Sequence, residues 1–157
     1  VYKDIKNTFN VGDYIQSLAA KQFLPTVDLL LNREDLAHYS GPTIKLILNG
    51  WFTHDVENWA PSGDINPLFV SFHLNGRVAD RFLSIKRNHD YLKEHEPIGC
   101  RDFSTMRVLK KNNIECYFTG CLTMTLGETY RLDNFESNKV ICADVAFDTP
   151  SFSFLKI

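Results

Sequence analysis

Arg101 and Asp102 stand side by side where the short apolar stretch PIGC (97–100) gives way to DFSTMRVLKK, a pattern with helical spacing. An aspartate at such a boundary is a natural helix N-cap. Its carboxylate accepts a free backbone N–H of the first turn and contributes about 1 kcal/mol. Capping accounts for Asp102 and leaves Arg101 open. A guanidinium at a strand end can grip a carboxylate or phosphate through two parallel hydrogen bonds, or it can pair with a neighbouring acid at the surface. His73 closes the apolar run PLFVSFH (67–73). An imidazole there can serve as general acid or base, or as an anchor for an anion; a hydrogen-bonded core histidine is the competing reading. In NTFNVGD (7–13), Gly12 permits close backbone approach, and a helix starting there would offer free N–H groups to an anion or a sugar hydroxyl. A plain turn capped by Asp13 explains the same residues. Neither G-x-G-x-x-G nor a Walker loop occurs, so the nucleotide fingerprints are absent.

The elements that must position these residues can be read from hydrophobic patterning. TVDLLL (26–31), TIKLILN (43–49), PLFVSFHL (67–74), IECYF (114–118) and KVICADV (139–145) read as strands, with PIGC as a shorter one. Their near-continuous apolarity fits strands covered on both faces, as in a parallel sheet. Between them, DYIQSLAAKQFL (13–24) puts Ile15, Leu18, Ala19 and Phe23 on one helical face behind Asp13 as N-cap. RVADRFLSIKRNHDYLKEH (77–95) reads as one bent helix or two, with Asn88-His89-Asp90 as its weak stretch. DFSTMRVLKK (102–111) groups Phe103, Met106 and Leu109, and Asn112-Asn113 supplies a stop. Strands alternating with helices predict a doubly wound α/β domain with a Rossmann-like parallel sheet and flanking helices. In such sheets ligands settle at the carboxyl ends of the strands, which selects NTFNVGD, NGWFTHD, SFHLNGR and GCRD. GWFTHDVENWAPSGDINP (50–67) reads as a long loop after a strand; loops of that length are usually functional or disordered, and its aromatic residues weigh against disorder. Trp51, Phe52 and Trp59 within it can stack on a sugar ring, or simply pack the loop onto the sheet.

Composition narrows the class. The 157 residues are 44% hydrophobic and 23% charged with a net charge of -2, so no nucleic-acid footprint stands out and any anion site must be local. Lys86-Arg87 and Lys110-Lys111 read as solvated helix faces. No stretch approaches the ~18 apolar residues of a membrane span. Cysteines 100, 116, 121 and 142 form no C-x-x-C pair and have no histidine at zinc spacing; buried reduced thiols at 100, 116 and 142, no metal and a cytoplasmic setting are the expectation. The run from residue 139 looks like the opening strand of a further unit. The expected organisation is a domain over 1–138 and the start of a second, truncated α/β domain over 139–157.

Three stretches together carry a resemblance: NTFNVGDYIQSLA, the strand end ILNGW, and above all PIGCRDFSTMRVLKKNNIECYFTGCLTMTL. Over most of its length the chain resembles the polysaccharide pyruvyl transferase family. The resemblance implies an N-terminal domain like that of two-domain GT-B transferases, with the active site in the cleft between two Rossmann-like halves. It implies transfer of a pyruvyl group from phosphoenolpyruvate to two hydroxyls of a glycan or lipid-linked sugar. The product is a ketal and phosphate is released, with no cofactor and at most peripheral membrane contact. On that reading Arg101 is an anion clamp and His73 a second anion contact or proton donor. Asn10, Gly12, Asp13, Asn49 and Trp51 line the acceptor side, and GCLTMTL (120–126) ends the first domain facing the cleft. The chain departs from the family pattern in three places: a degraded strand before NVGD, Ser71-Phe72-His73 in place of a glycine-rich turn, and no second domain to complete the donor site. Alone, it would then be inactive. A GT-B-like glycosyltransferase using a nucleotide sugar, and a non-catalytic glycan-binding domain, are the alternatives.

Overall fold

The computed structural model describes residues 11–53 and 55–130. Asn10, His54, Cys142, the strand expected at 139–145 and the unit expected from residue 139 lie outside the described residues. Four strands form one parallel sheet in the order β1 (Ile44–Trp51), β2 (Ile65–His73), β3 (Ile98–Cys100) and β4 (Cys116–Phe118). With helices between and around these strands, the chain is an α/β fold. The described strands add in one direction, so the order reversal of a doubly wound sheet is not seen among them.

TVDLLL (26–31) is not a strand. The run is paired into none of the described strands, and Leu29 and Leu30 are 50% and 79% exposed. Helix α1 (Val11–Lys21) meets the carboxyl end of β1 instead, where the Asn49 amide donates to the Gln16 carbonyl at 2.9 Å. On α1 only Ala19 is buried, while Ile15 and Leu18 are exposed and Phe23 lies beyond the helix. Asp13 lies inside the helix rather than before it, and its carboxylate pairs with Arg33.

The stretch 77–95 forms two helices, α2 (Ala79–Ser84) and α3 (Lys86–Glu94), broken at Ile85 rather than at 88–90. Asn88 explains the break. Its side-chain amide donates to the carbonyls of Phe82 and Val56, so it takes the carbonyl that a continuous helix would offer to residue 86. Asn88 thereby also stitches the segment after β1 to the helices. Arg87 does the same, donating to the Glu57 and Trp59 carbonyls rather than lying free on a solvated face. Asn88→Ala would strand two carbonyls in the core. It is expected to cost about 2 kcal/mol in urea unfolding; a loss below about 0.5 kcal/mol would mean that the loop is held without it.

The segment between β1 and β2 is packed down onto the core. Trp59 is 5% exposed and sits edge-on to Phe82 at 4.7 Å and to Tyr91 at 5.4 Å. Val56 and Thr53 are also buried, and Phe52 packs partly buried against the same core. Helix α4 (Phe103–Lys111) follows β3, buries Thr105 and Leu109, and stops at Asn112, with Asn113 in the left-handed region at φ 58°. Met106 is partly buried against the core. Phe103 is 58% exposed and stacks on Phe118 at 4.4 Å.

Candidate functional site

The carboxyl ends of the four strands bring the chemical residues to one level. Trp51 is in register with His73. Phe72 pairs with Cys100, and the Arg101 N–H donates to the Phe72 carbonyl at 2.9 Å. The Thr119 N–H likewise donates to the Cys100 carbonyl at 2.9 Å. Trp51, His73, Arg101 and Thr119 thus form a row across the sheet edge, in agreement with the rule that loops after parallel strands carry the site.

A bulge in β2 decides which way His73 faces. Between the pairs Leu48↔Phe69 and Gly50↔Phe72, β1 has one residue and β2 has two, Val70 and Ser71. The extra residue shifts the parity of the strand, so Phe69 and Phe72 both enter the core, edge-to-face at 5.3 Å. In an unbroken strand Phe69 and His73 would share a face. Ser71 holds the bulge at φ 59°, a conformation that costs a non-glycine residue about 1–2 kcal/mol. Its N–H donates to the Thr119 hydroxyl at 3.1 Å and its own hydroxyl to the Gly120 carbonyl at 2.8 Å. Ser71-Phe72-His73, which departs from a glycine-rich turn, therefore still makes a left-handed backbone step.

His73 Nδ1 lies 2.6 Å from Asp102 Oδ2. Asp102 Oδ1 accepts the Thr105 N–H at 2.8 Å, the N-cap bond expected from the sequence. The Thr105 hydroxyl donates to Asp102 Oδ2 at 3.2 Å and accepts from the Leu74 N–H at 3.1 Å. Burial alone would raise the Asp102 carboxyl, but the hydrogen bonds from the Thr105 N–H, His73 and the Thr105 hydroxyl together hold it below the ordinary aspartate range. Asp102 is thus more than a cap, since it also binds the histidine ring. Arg101 is half-buried, and its guanidinium makes no ion pair or side-chain hydrogen bond with any described residue.

The α1 side is more closed. Arg33 donates to Asp13 Oδ1 at 3.2 Å and to the Trp51 carbonyl at 3.1 Å, so Asp13 is tied to the strand end through an arginine that no sequence pattern singled out. Gly12 is exposed in the same turn of α1. Asn49 is 8% exposed with its amide committed to Gln16. Trp51 keeps an intermediate exposure and donates from its indole nitrogen to Thr53 at 2.7 Å. GCLTMTL forms a 3-10 turn over Leu122–Thr125 that meets α1, with the Gln22 amide donating to the Thr125 hydroxyl at 2.6 Å. Cys100 and Cys116 are buried free thiols, both raised by desolvation.

Among the described residues no group of three or more His, Cys, Asp or Glu side chains could hold a metal ion, and no helix is long and apolar enough to cross a membrane. Comparisons with protein-family models, with curated proteins and with solved structures return no match to this chain.

Proposed function

We propose that this chain supplies the Rossmann-like half of a GT-B-like polysaccharide pyruvyl transferase. It would transfer a pyruvyl group from phosphoenolpyruvate to two hydroxyls of a surface or extracellular glycan, or of its lipid-linked precursor, in the cytoplasm. The observation that carries this reading is Arg101: a half-buried guanidinium without a described partner, one residue beyond β3, beside a histidine oriented by a carboxylate. The resemblance of NTFNVGD, ILNGW and the stretch from PIGCRD to GCLTMTL names the reaction. Phosphoenolpyruvate carries a carboxylate and a phosphate, and a rigid guanidinium fork suits either.

The reaction adds one sugar hydroxyl across the enol double bond. Its proton leaves the oxygen, the methylene carbon gains a proton to become the methyl group, and the new C–O bond forms at the central carbon. The second hydroxyl then displaces phosphate, which takes the remaining proton, and the ketal closes. Arg101 would neutralise donor charge as the phosphate departs, and His73 would move the first proton. Trp51 offers a ring face to the acceptor at the same level of the sheet edge.

The intact protein should bind phosphoenolpyruvate in isothermal titration. With a glycan acceptor it should release phosphate while an acid-labile pyruvyl ketal accumulates. Binding of a UDP-sugar in place of phosphoenolpyruvate would overturn this reading in favour of glycosyl transfer. Glycan binding with no phosphate release would overturn it in favour of a non-catalytic domain.

A further inference from the structure

We propose that Asp102 is a positioning residue that fixes the tautomer of His73, so that Nε2 is the nitrogen that exchanges protons with substrate. The two oxygens of Asp102 have separate partners. Oδ1 is committed to the α4 N-terminus through the Thr105 N–H at 2.8 Å, and Oδ2 faces His73 Nδ1 at 2.6 Å. An ionised carboxylate only accepts, so the neutral imidazole must carry its proton on Nδ1, leaving the Nε2 lone pair free. The carboxylate cannot swing away, because the cap bond, the Thr105 hydroxyl at 3.2 Å and the Leu74 N–H behind that hydroxyl hold it on both sides. Thr105 is fully buried, which shields the anchoring end of the network, while the His73 and Asp102 side chains are 25% and 33% exposed. The β2 bulge completes the device by putting His73 out of phase with the core residues Phe69 and Phe72.

The catalytic part of this proposal rests on the reading of His73 as the proton carrier in pyruvyl transfer. There, Nε2 accepts the proton of the attacking sugar hydroxyl, and Asp102 faces the resulting imidazolium. The same Nε2 then delivers that proton to the methylene carbon as the C–O bond forms, which returns the imidazole to its starting tautomer.

Asp102→Asn separates the two roles of the residue. Asparagine caps helices as well as aspartate, so its Oδ1 keeps the Thr105 N–H and its Nδ2 is left facing His73. An amide N–H donates to Nδ1, and the ring proton must move to Nε2. The test is nitrogen-15 NMR of the imidazole in the intact protein without substrate, above the pH at which the ring is charged. The native protein should show the Nδ1–H tautomer and the variant the Nε2–H tautomer, with melting temperatures within about 2 °C of each other. A native Nε2–H tautomer, or an unchanged tautomer in the variant, overturns the proposal. Under the pyruvyl-transfer reading kcat should also fall about 10–100-fold in the variant while KM for phosphoenolpyruvate holds. A flipped tautomer in a protein that never pyruvylates would uphold the positioning role and sink only the proposed reaction. A flipped tautomer with an unchanged kcat would overturn the catalytic part.

Discussion

Arg101→Ala is expected to lower kcat/KM for pyruvyl transfer by the intact protein about 10²–10³-fold, with no loss of stability. The size follows from what the side chain would do. A preorganised cation placed where charge develops on a leaving phosphate stabilises the transition state by about 3–4 kcal/mol in a site that excludes water. Stability should hold because the guanidinium has no described partner to lose, and the backbone bond from Arg101 N–H to the Phe72 carbonyl survives the substitution. Arg101→Lys keeps the charge and loses the two-pronged fork, so it should recover only part of the rate and raise KM for phosphoenolpyruvate. Steady-state phosphate release, read beside thermal melts of both variants, checks this. Unchanged turnover in Arg101→Ala would make the residue a solvated surface arginine and remove the principal support for the anion clamp.

What the sequence made legible follows the range of the forces involved. Asp102 as a cap, Asn112-Asn113 as a helix stop, and four of the strands are local patterns, and the folded chain keeps them. The link from His73 to Asp102 spans 29 positions and depends on strand order, which no local pattern encodes. The facing of His73 was hidden for another reason. PLFVSFH reads as continuous apolarity, whereas the β2 bulge at Val70 and Ser71 changes the parity of the strand two residues before the histidine. TVDLLL shows the opposite failure, since its apolar run joins none of the described strands although β1 is an edge among them. Trp59 was ambiguous between ligand stacking and packing because aromatic content is the same in both cases. Its ring contacts with Phe82 and Tyr91 place it in the core. The pairing of Asp13 with Arg33 was not legible, because Arg33 lies 20 positions away in a stretch with no motif.

Gly99→Ala is expected to destabilise the fold by on the order of 3 kcal/mol and to disturb the site at the same time. Gly99 sits in the middle of β3, a three-residue strand that leads directly into Arg101. A Cβ built there would lie 2.6 Å from the Phe69 carbonyl oxygen, 2.8 Å from Thr119 Cγ2 and 3.2 Å from Val70 Cα. Two of these three are backbone atoms at the bulge, so rotation of the Thr119 side chain alone cannot make room. Relief requires β3 to move from β2, and those strands are paired in register only at Phe72↔Cys100. The same movement stretches the Arg101 N–H bond to the Phe72 carbonyl and carries Asp102 away from His73. A loss of about 3 kcal/mol corresponds to a fall in melting temperature of roughly 6–12 °C for a domain of this size. The His73 imidazole signals should shift in the variant even under conditions where it is fully folded. A melting temperature within about 2 °C of the native protein would mean that β3 can yield without cost. The close approach of bulge and strand would then not be what holds Arg101 and His73 at one level.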